Sequence, residues 1–540
     1  MTLELIVPRV LMQWNRNPMS PAYGSFDRNF WNYKTMTDFS CASFQQAVLG
    51  LSELYADKES RTPYAGQPLI LEAIRSGVLF WCQIQQKDGS QDEYYQNERS
   101  FCATAFTTFA VARTFSRVPQ AWNSEEQQLI RAKIVRGSEW LSRYSNPDVQ
   151  NQMIVSMNAL YWVARLTGDT AHKAAFQKRR AEVLASQSTE GWFPEYGGAD
   201  IGYSFKQLDF LCSYLAEEAD PEAQTAAEKL TEFIVHFLHP DGTAGGSYGS
   251  RCTEHVFPFG IEWMSRKGSK AAISAVNWYR YHRSQQTAMG PEMVDDKYLI
   301  YFYFFSFVQA ELLPSLDAAV VSPPAVIGKK GLLTWPLAGL ARWTDEHNAL
   351  WISRQRNGVF RWFRHGKNQC GDSGYEIELL DGSVAATQTE DASAEINFTE
   401  SSNGLEIQIK GHAGAVDLSL PLVRWMVPFK WVCRTLLQVD VLAVFYSRWL
   451  KKTKIADSKM LPIGFKRHMK LSGKTLTVQD HISSQKGGFK KVLPLDGFTT
   501  VHSPSSRYFH NQYMTPSRKP IPKLDGSSEF HLQWEVVSES

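Results

Sequence analysis

A chain of 540 residues with 57 Lys and Arg against 55 Asp and Glu has a net charge of +2, which removes any global electrostatic case for nucleic acid. Hydrophobic content of 43% and charged content of 21% fit a soluble globular protein, and the length calls for more than one domain. Seven cysteines (41, 82, 102, 212, 252, 370 and 433) are scattered without a CxxC or Cys/His cluster, which speaks against a zinc site of the usual spacing and suits buried thiols in a reducing compartment. The stretch Met1–Arg9 carries Glu4 and lacks the apolar core of a signal peptide, and no charge-free apolar run reaches membrane-span length, so a cytoplasmic location is expected. Aromatics are high at 13%; Trp and Tyr in loops suit the flat C–H faces of sugar rings, and a large aromatic core is the bland alternative.

In chain order, Met36–Tyr55 reads as an apolar helix. Asp88-Gly89 then precedes Tyr95 and a helix predicted from about Glu98, apolar over Phe101–Phe115. Ser124–Ser142 is charged and amphipathic, and Ser145–Gln152 leads into the apolar Met153–Leu166. Thr170–Gln187 is charged again. Glu190-Gly191 precedes Tyr196 and a helix near Gly202, apolar over Phe205–Leu215. Asp241-Gly242 precedes Tyr248 and a helix from about Thr253, and Asp295–Leu313 reads as a late apolar helix. Asp88 and Glu190 are 102 residues apart, Glu190 and Asp241 are 51 apart, and the Ser145 loop supplies the missing unit. A fixed period with charged outer and apolar inner helices predicts an α/α toroid of five or six hairpins, with its Gly-rich loops gathered around a cleft; a linear solenoid is the alternative.

Pro314–Gly331 reads as a linker. Beyond it, short alternating runs (349–353, 358–364, 375–380, 404–410, 476–482 and 530–536) with turns at Asp381-Gly382 and Asn403-Gly404 predict an antiparallel β-sandwich. The expected fold class is therefore α+β multidomain: an incomplete (α/α)5-6 toroid over 1–313, a linker over 314–331 and a sandwich over 332–540. Leu418–Lys454 breaks the strand pattern, mixing Trp, Leu and Phe with Arg and Lys. It reads as a long strand pair plus a packing helix; the other reading is a peripheral membrane or partner surface.

Two places give the chain a family likeness: Asn151-Gln152 ahead of Asn158–Asp169, and Glu190 through Tyr203. With the order of domains, they resemble the heparinase II/III-like polysaccharide lyases and their alginate-lyase relatives, which join an α/α toroid to an antiparallel sandwich. The resemblance implies that Asn151 binds a uronate carboxylate and that Tyr203 acts in proton transfer. Gln152 stands where the family usually has His, and the family's Gly-His-Gly-His-type motif is reduced to His365-Gly366. No cofactor is expected, and a divalent metal stays open with no ligand motif visible.

β-Elimination from a uronate needs donors that neutralise the carboxylate, a base for the C5 proton and an acid for the departing O4. Asn151, Gln152 and Arg251 are candidates for the first task, with a helix cap as the other reading of Asn151. Tyr203 is the candidate base and acid, Lys206 its modulator, and Tyr248 and His255 second choices, each with a packing role as the alternative. Tyr95, Trp192, Glu195 and Asp200 are candidate substrate contacts, and Glu195 with Asp200 would be the pair for a hydrolase. The expected partner is an anionic polysaccharide and the expected activity a lyase. A uronate C5-epimerase of exopolysaccharide synthesis, a hydrolase, a non-catalytic glycan-binding or assembly protein and, last, an isoprenoid cyclase are the alternatives.

Overall fold

Apolar residues at three- and four-residue spacing fold the first half of the chain into helices. The computed structural model describes residues 2–33, 37–314, 323, 330–401, 404–417, 423–451, 459–495, 524 and 526–538. Its helices begin with α1 (Thr2–Leu11), α2 (Arg28–Tyr33), α3 (Ala47–Tyr55), α4 (Pro68–Ile84), α5 (Phe101–Arg117) and α6 (Ser124–Arg143). Next come α7 (Gln150–Thr167), α8 (Thr170–Ala185), α9 (Ile201–Leu215) and α10 (Pro221–Val235). The series continues with α11 (Pro258–Arg266), α12 (Lys270–Ser284), α13 (Asp296–Tyr298) and α14 (Phe304–Glu311). Helix α3 touches α5, α5 touches α7, and the contacts pass through α9, α11 and α14 back to α3, so six apolar helices close a ring. The outer helices α4, α6, α8, α10 and α12 lie behind them, all but the apolar α4 charged, and α1 packs on α14. Local signals set the boundaries: Asn123 and Glu126 form a capping box on α6, Asp200 caps α9, and Gly168 ends α7 with φ 69°.

Two predicted helices start later than their periodicity implies. Asp27 binds the Cys41 N–H and the Asp92 carbonyl binds the Ala42 N–H, so the chain stays extended before a 3₁₀ turn at Ala42–Gln46 and α3; Met36 lies outside the described residues. Residues 251–253 are held by Asp200, and Pro258 at the first helical position starts α11.

The strands are β1 (Gly331–Trp335), β2 (Leu340–Thr344), β3 (Asn348–Ser353), β4 (Val359–Arg364) and β5 (Lys367–Asp372), forming one antiparallel sheet in that order. A second antiparallel sheet holds β6 (Tyr375–Leu379), β7 (Val384–Ala386), β8 (Glu395–Ser401), β9 (Gly404–Ala415), β10 (Met460–Ser472), β11 (Thr475–Ser484), β12 (Phe489–Pro494) and β13 (Glu529–Val537). Trp343, Leu350 and Trp362 of the first sheet pack against Ile407, Met469 and Trp534 of the second. Ala349, Trp351 and Phe363, on the other face, join the core of the helical ring. The five-stranded sheet is thus a middle layer, and β2, β3 and β4 are buried on both faces.

The segment read as a strand pair plus a helix is instead a helical hairpin, α15 (Val423–Arg434) and α16 (Asp440–Lys451), inserted between the paired strands β9 and β10. It reaches back to the ring. Tyr95 packs with Cys433, Leu437 and Ala443, Asn97 donates to the Cys433 carbonyl at 2.9 Å, and Arg99 donates to the carbonyls of Leu437 and Gln438 and to the Asp440 carboxylate. These anchors favour helix over the strand tendency of the Trp, Val and Phe residues.

Candidate functional site

The loops ahead of α5, α7, α9 and α11 gather at one end of the ring, where a cleft of about 210 Å³ opens. Gln152 and Asn151 enter it from the start of α7, Glu195 and Tyr196 from the next loop, Tyr203 and Lys206 from the first turns of α9, and Arg251 from the loop before α11. Glu93 and Tyr94 line one side, and Tyr298, Tyr301 and Phe302 another.

Glu195 is fully buried. Its carboxylate accepts from the Asn151 backbone N–H (2.8 Å), from Asn151 Nδ2 (2.9 Å to each oxygen) and from Gln207 Nε2 (2.8 Å). Burial nevertheless pushes its pKa up to about 7, against the pull of those donors. Asn151 sits one residue inside α7, with Val149 at the cap position, so its amide is a clamp for Glu195 and not a helix cap. Gln152 Oε1 accepts from Asn146 at 2.9 Å, which leaves its NH₂ to donate.

Lys206 lies within 3.3 Å of the Phe302 ring centroid and 4.8 Å of that of Phe106, and burial pushes its ammonium down to about 7. The Tyr203 phenol is pushed well up by burial, while Arg251 pulls it down. Arg251 stacks on Tyr196 with its guanidinium carbon 4.0 Å from the ring centroid, and its buried Nε has no hydrogen-bond partner among the described residues. An unpartnered guanidinium donor at a cleft suits an anionic ligand.

Five other candidates do not line this cleft. Asp200 is spent on structure: it accepts from the backbone N–H groups of Tyr203, Arg251 and Thr253 and from the Thr253 hydroxyl. Tyr248 is buried with its hydroxyl 2.8 Å from His239 Nε2. His255 bonds the Tyr303 hydroxyl and meets the Tyr203 ring edge-on at 5.8 Å. Tyr95 is in the hairpin contact. Trp192 donates to Glu190, whose carboxylate also accepts from the N–H groups of Leu337 and Ala338 at the start of the sandwich.

Among the described residues, the group close enough to share a metal is His481, Glu529 and His531, which does not line the cleft. No helix among the described residues is long and apolar enough to cross a membrane.

No protein-family model matches the sequence, and no curated protein matches it. Among solved structures, the chondroitin AC lyase of Streptomyces coelicolor A3, determined in complex with chondroitin sulphate, is similar at 10% identity with a TM-score of 0.52, over 90% of this chain and 70% of that one. The chain shares the fold of that lyase, a ring of helices followed by antiparallel sheets. A heparinase III is similar at 10% identity and a TM-score of 0.42, over 90% of this chain and 82% of that one. A D-mannose isomerase is similar at 10% identity and a TM-score of 0.40, over 57% of this chain and 96% of that one.

Within this lyase fold, sequence reasoning passed over Glu93, Tyr94, Tyr196, Tyr301 and Phe302 as cleft residues. Tyr196 had a signal, since it stands just before Gly197-Gly198, and it adopts φ 55° in the resulting tight turn. Tyr301 and Phe302 lie in a π-helical turn, Leu299–Tyr303, which simple helical spacing does not reveal.

Proposed function

We propose that the protein is a polysaccharide lyase that cleaves a uronate-containing polymer by β-elimination. The observation that carries this reading is the convergence of Gln152, Arg251, Tyr203 and Lys206 on one cleft, with a guanidinium donor unpartnered there. Arg251 and Gln152 hold the uronate carboxylate, where negative charge grows as the C5 proton leaves. Asn151 is committed to Glu195 and sets the floor of that subsite. Tyr203, whose phenolate Arg251 favours against the opposing effect of burial, takes the C5 proton, the C–H electron pair becomes the C4=C5 double bond, the C4–O4 bond breaks, and O4 leaves with a proton returned by Tyr203. Lys206, three residues on along α9 and lining the same cleft, with its ammonium pushed down to about 7 by burial, is the modulator of that site. The hydrolase reading is weaker, because the Asp200 carboxylate is occupied by four hydrogen bonds from Tyr203, Arg251 and Thr253 and does not line the cleft.

Purified protein incubated with a panel of uronate polysaccharides should give near-ultraviolet absorbance from the unsaturated product. Tyr203→Phe should slow it by about 10²–10⁴-fold, the usual worth of a proton-transfer group, with thermal stability unchanged. A flat trace across the panel overturns the lyase reading. A C5-epimerase is the second reading, favoured by two titratable groups, Tyr203 and Lys206, in one cleft; C5 deuterium exchange without absorbance identifies it. Glycan binding with neither signal leaves a binding protein.

A further inference from the structure

The hairpin α15–α16 presents an apolar face that nothing among the described residues covers. Its inner side, Phe429, Val432, Cys433, Ala443 and Tyr446, is used against Tyr95 and within the hairpin. On the outer side Trp425 is 63% exposed, Trp431 62% and Phe445 70%, with Val427, Val441 and Trp449 beside them. Among the described residues, ten of the 21 exposed large apolar side chains lie between Trp425 and Trp449. Single exposed apolar residues are ordinary; a concentration of this kind marks an interaction surface.

Charge chooses the occupant. Residues 423–454 contain seven Lys and Arg and one acid, Asp440, in a chain whose whole excess is two. Asp440 is paired with Arg99 at 2.7 Å, while Arg424 and Lys430 are exposed on α15. A second copy of the chain would bring two such cationic faces together. An anionic bilayer satisfies both features: indole and phenyl rings enter the headgroup boundary, and basic heads meet lipid phosphates. We propose that α15–α16 is an interfacial membrane anchor for anionic lipid. It lies on the surface and does not span it. Residues 92–99 both hold the hairpin, through Tyr95, Asn97 and Arg99, and supply Glu93 and Tyr94 to the cleft. Docking therefore fixes the cleft beside the lipid surface. The anchor does not depend on the lyase reading.

The test is co-sedimentation of the full chain with vesicles of phosphatidylcholine alone and of phosphatidylcholine mixed with phosphatidylglycerol, together with sedimentation velocity without lipid. The expected result is pelleting with the anionic vesicles, weakened by salt. It should weaken by about fivefold for each cationic charge removed, as in Arg424→Gln and Lys430→Gln, and by about tenfold or more in Trp425→Ser/Trp431→Ser/Phe445→Ser. These side chains point to solvent, so circular dichroism and the melting temperature should be those of the parent. No pelleting with anionic vesicles, equal pelleting with both vesicle types, or a dimer that the triple substitution dissolves would each overturn the proposal.

Discussion

Glu195 illustrates what burial does to a single carboxyl. Its folded pKa is raised from 4.5 to about 7, so between those values the folded state keeps a proton that the unfolded state gives up. Stability must then fall as pH rises from about 4.5 to about 7, by up to roughly 3 kcal/mol from this group. Glu195→Gln cannot ionise, and the difference between its melting temperature and that of the parent should move in its favour across that window. A difference independent of pH would mean that Glu195 stays ionised throughout. On the lyase reading, Arg251→Ala should lower kcat/KM for the polymer about tenfold or more, with kcat falling as well, because the guanidinium stacked beside Tyr196 no longer meets the charge that grows on the carboxylate. At this scale the sequence placed Gln152, Glu195, Tyr203, Lys206 and Arg251 near one another, since each stands at the mouth of a repeat unit. It did not separate them from Asp200, Tyr248 and His255, which stand equally near. Which way a side chain turns there is settled by partners such as Thr253 for Asp200 and Tyr303 for His255, each about 50 residues away.

Between elements, the start of α9 fits tightly against the loop before α11. A Cβ on Gly202 would overlap the Thr253 side chain and lie 2.7 Å from the His255 backbone nitrogen. Gly202→Ala should therefore destabilise the fold by about 1–3 kcal/mol in urea titrations, a large effect for one methyl group in a helix. The hairpin is held by fewer contacts. Arg99→Met removes the donors to Leu437, Gln438 and Asp440 and should open α15–α16 to proteolysis and faster amide exchange while α5 and α7 keep their protection. Six strands and most of the inner helices were readable because their periodicities of two and 3.6 are local properties. The hairpin was not, because Tyr95, Asn97 and Arg99 lie more than 300 residues away in sequence. Pro428 and the Trp and Val residues also argue locally against a helix.

For the molecule as a whole, the order helices then sheets was visible from composition, and the middle position of the five-stranded sheet was not. The apolar stretch Ala349–Ile352 of β3 was its trace, since strands covered on both faces lose the polar half of their alternation, while the buried Arg361 masks it in β4. The ring is pinned to this sheet by a buried ion pair between Glu254 and Arg361, by Arg356 on the Ser250 carbonyl and by Trp351 on the His236 carbonyl. Arg361→Met strips Glu254 of that cation inside the interface and should cost about 3–5 kcal/mol. Helical circular dichroism and Trp fluorescence should nonetheless report one shared thermal transition in the parent, with the two signals parting in Arg361→Met.

The doubly covered sheet also sets a problem during synthesis. Once Arg364 has left the ribosome, β2 to β4 can settle on the finished ring, but their other face keeps Trp343, Phe360 and Trp362 bare. The first strands that cover it, β9 to β11, are complete only at Ser484, about 120 residues later, and Trp534 of β13 follows. At ordinary translation speeds of about 5–20 residues per second, a half-dressed nascent chain persists for roughly 6–24 s. The cell must therefore shield one sticky sheet face for that interval, and a host poor in nascent-chain chaperones should yield inclusion bodies in place of folded protein.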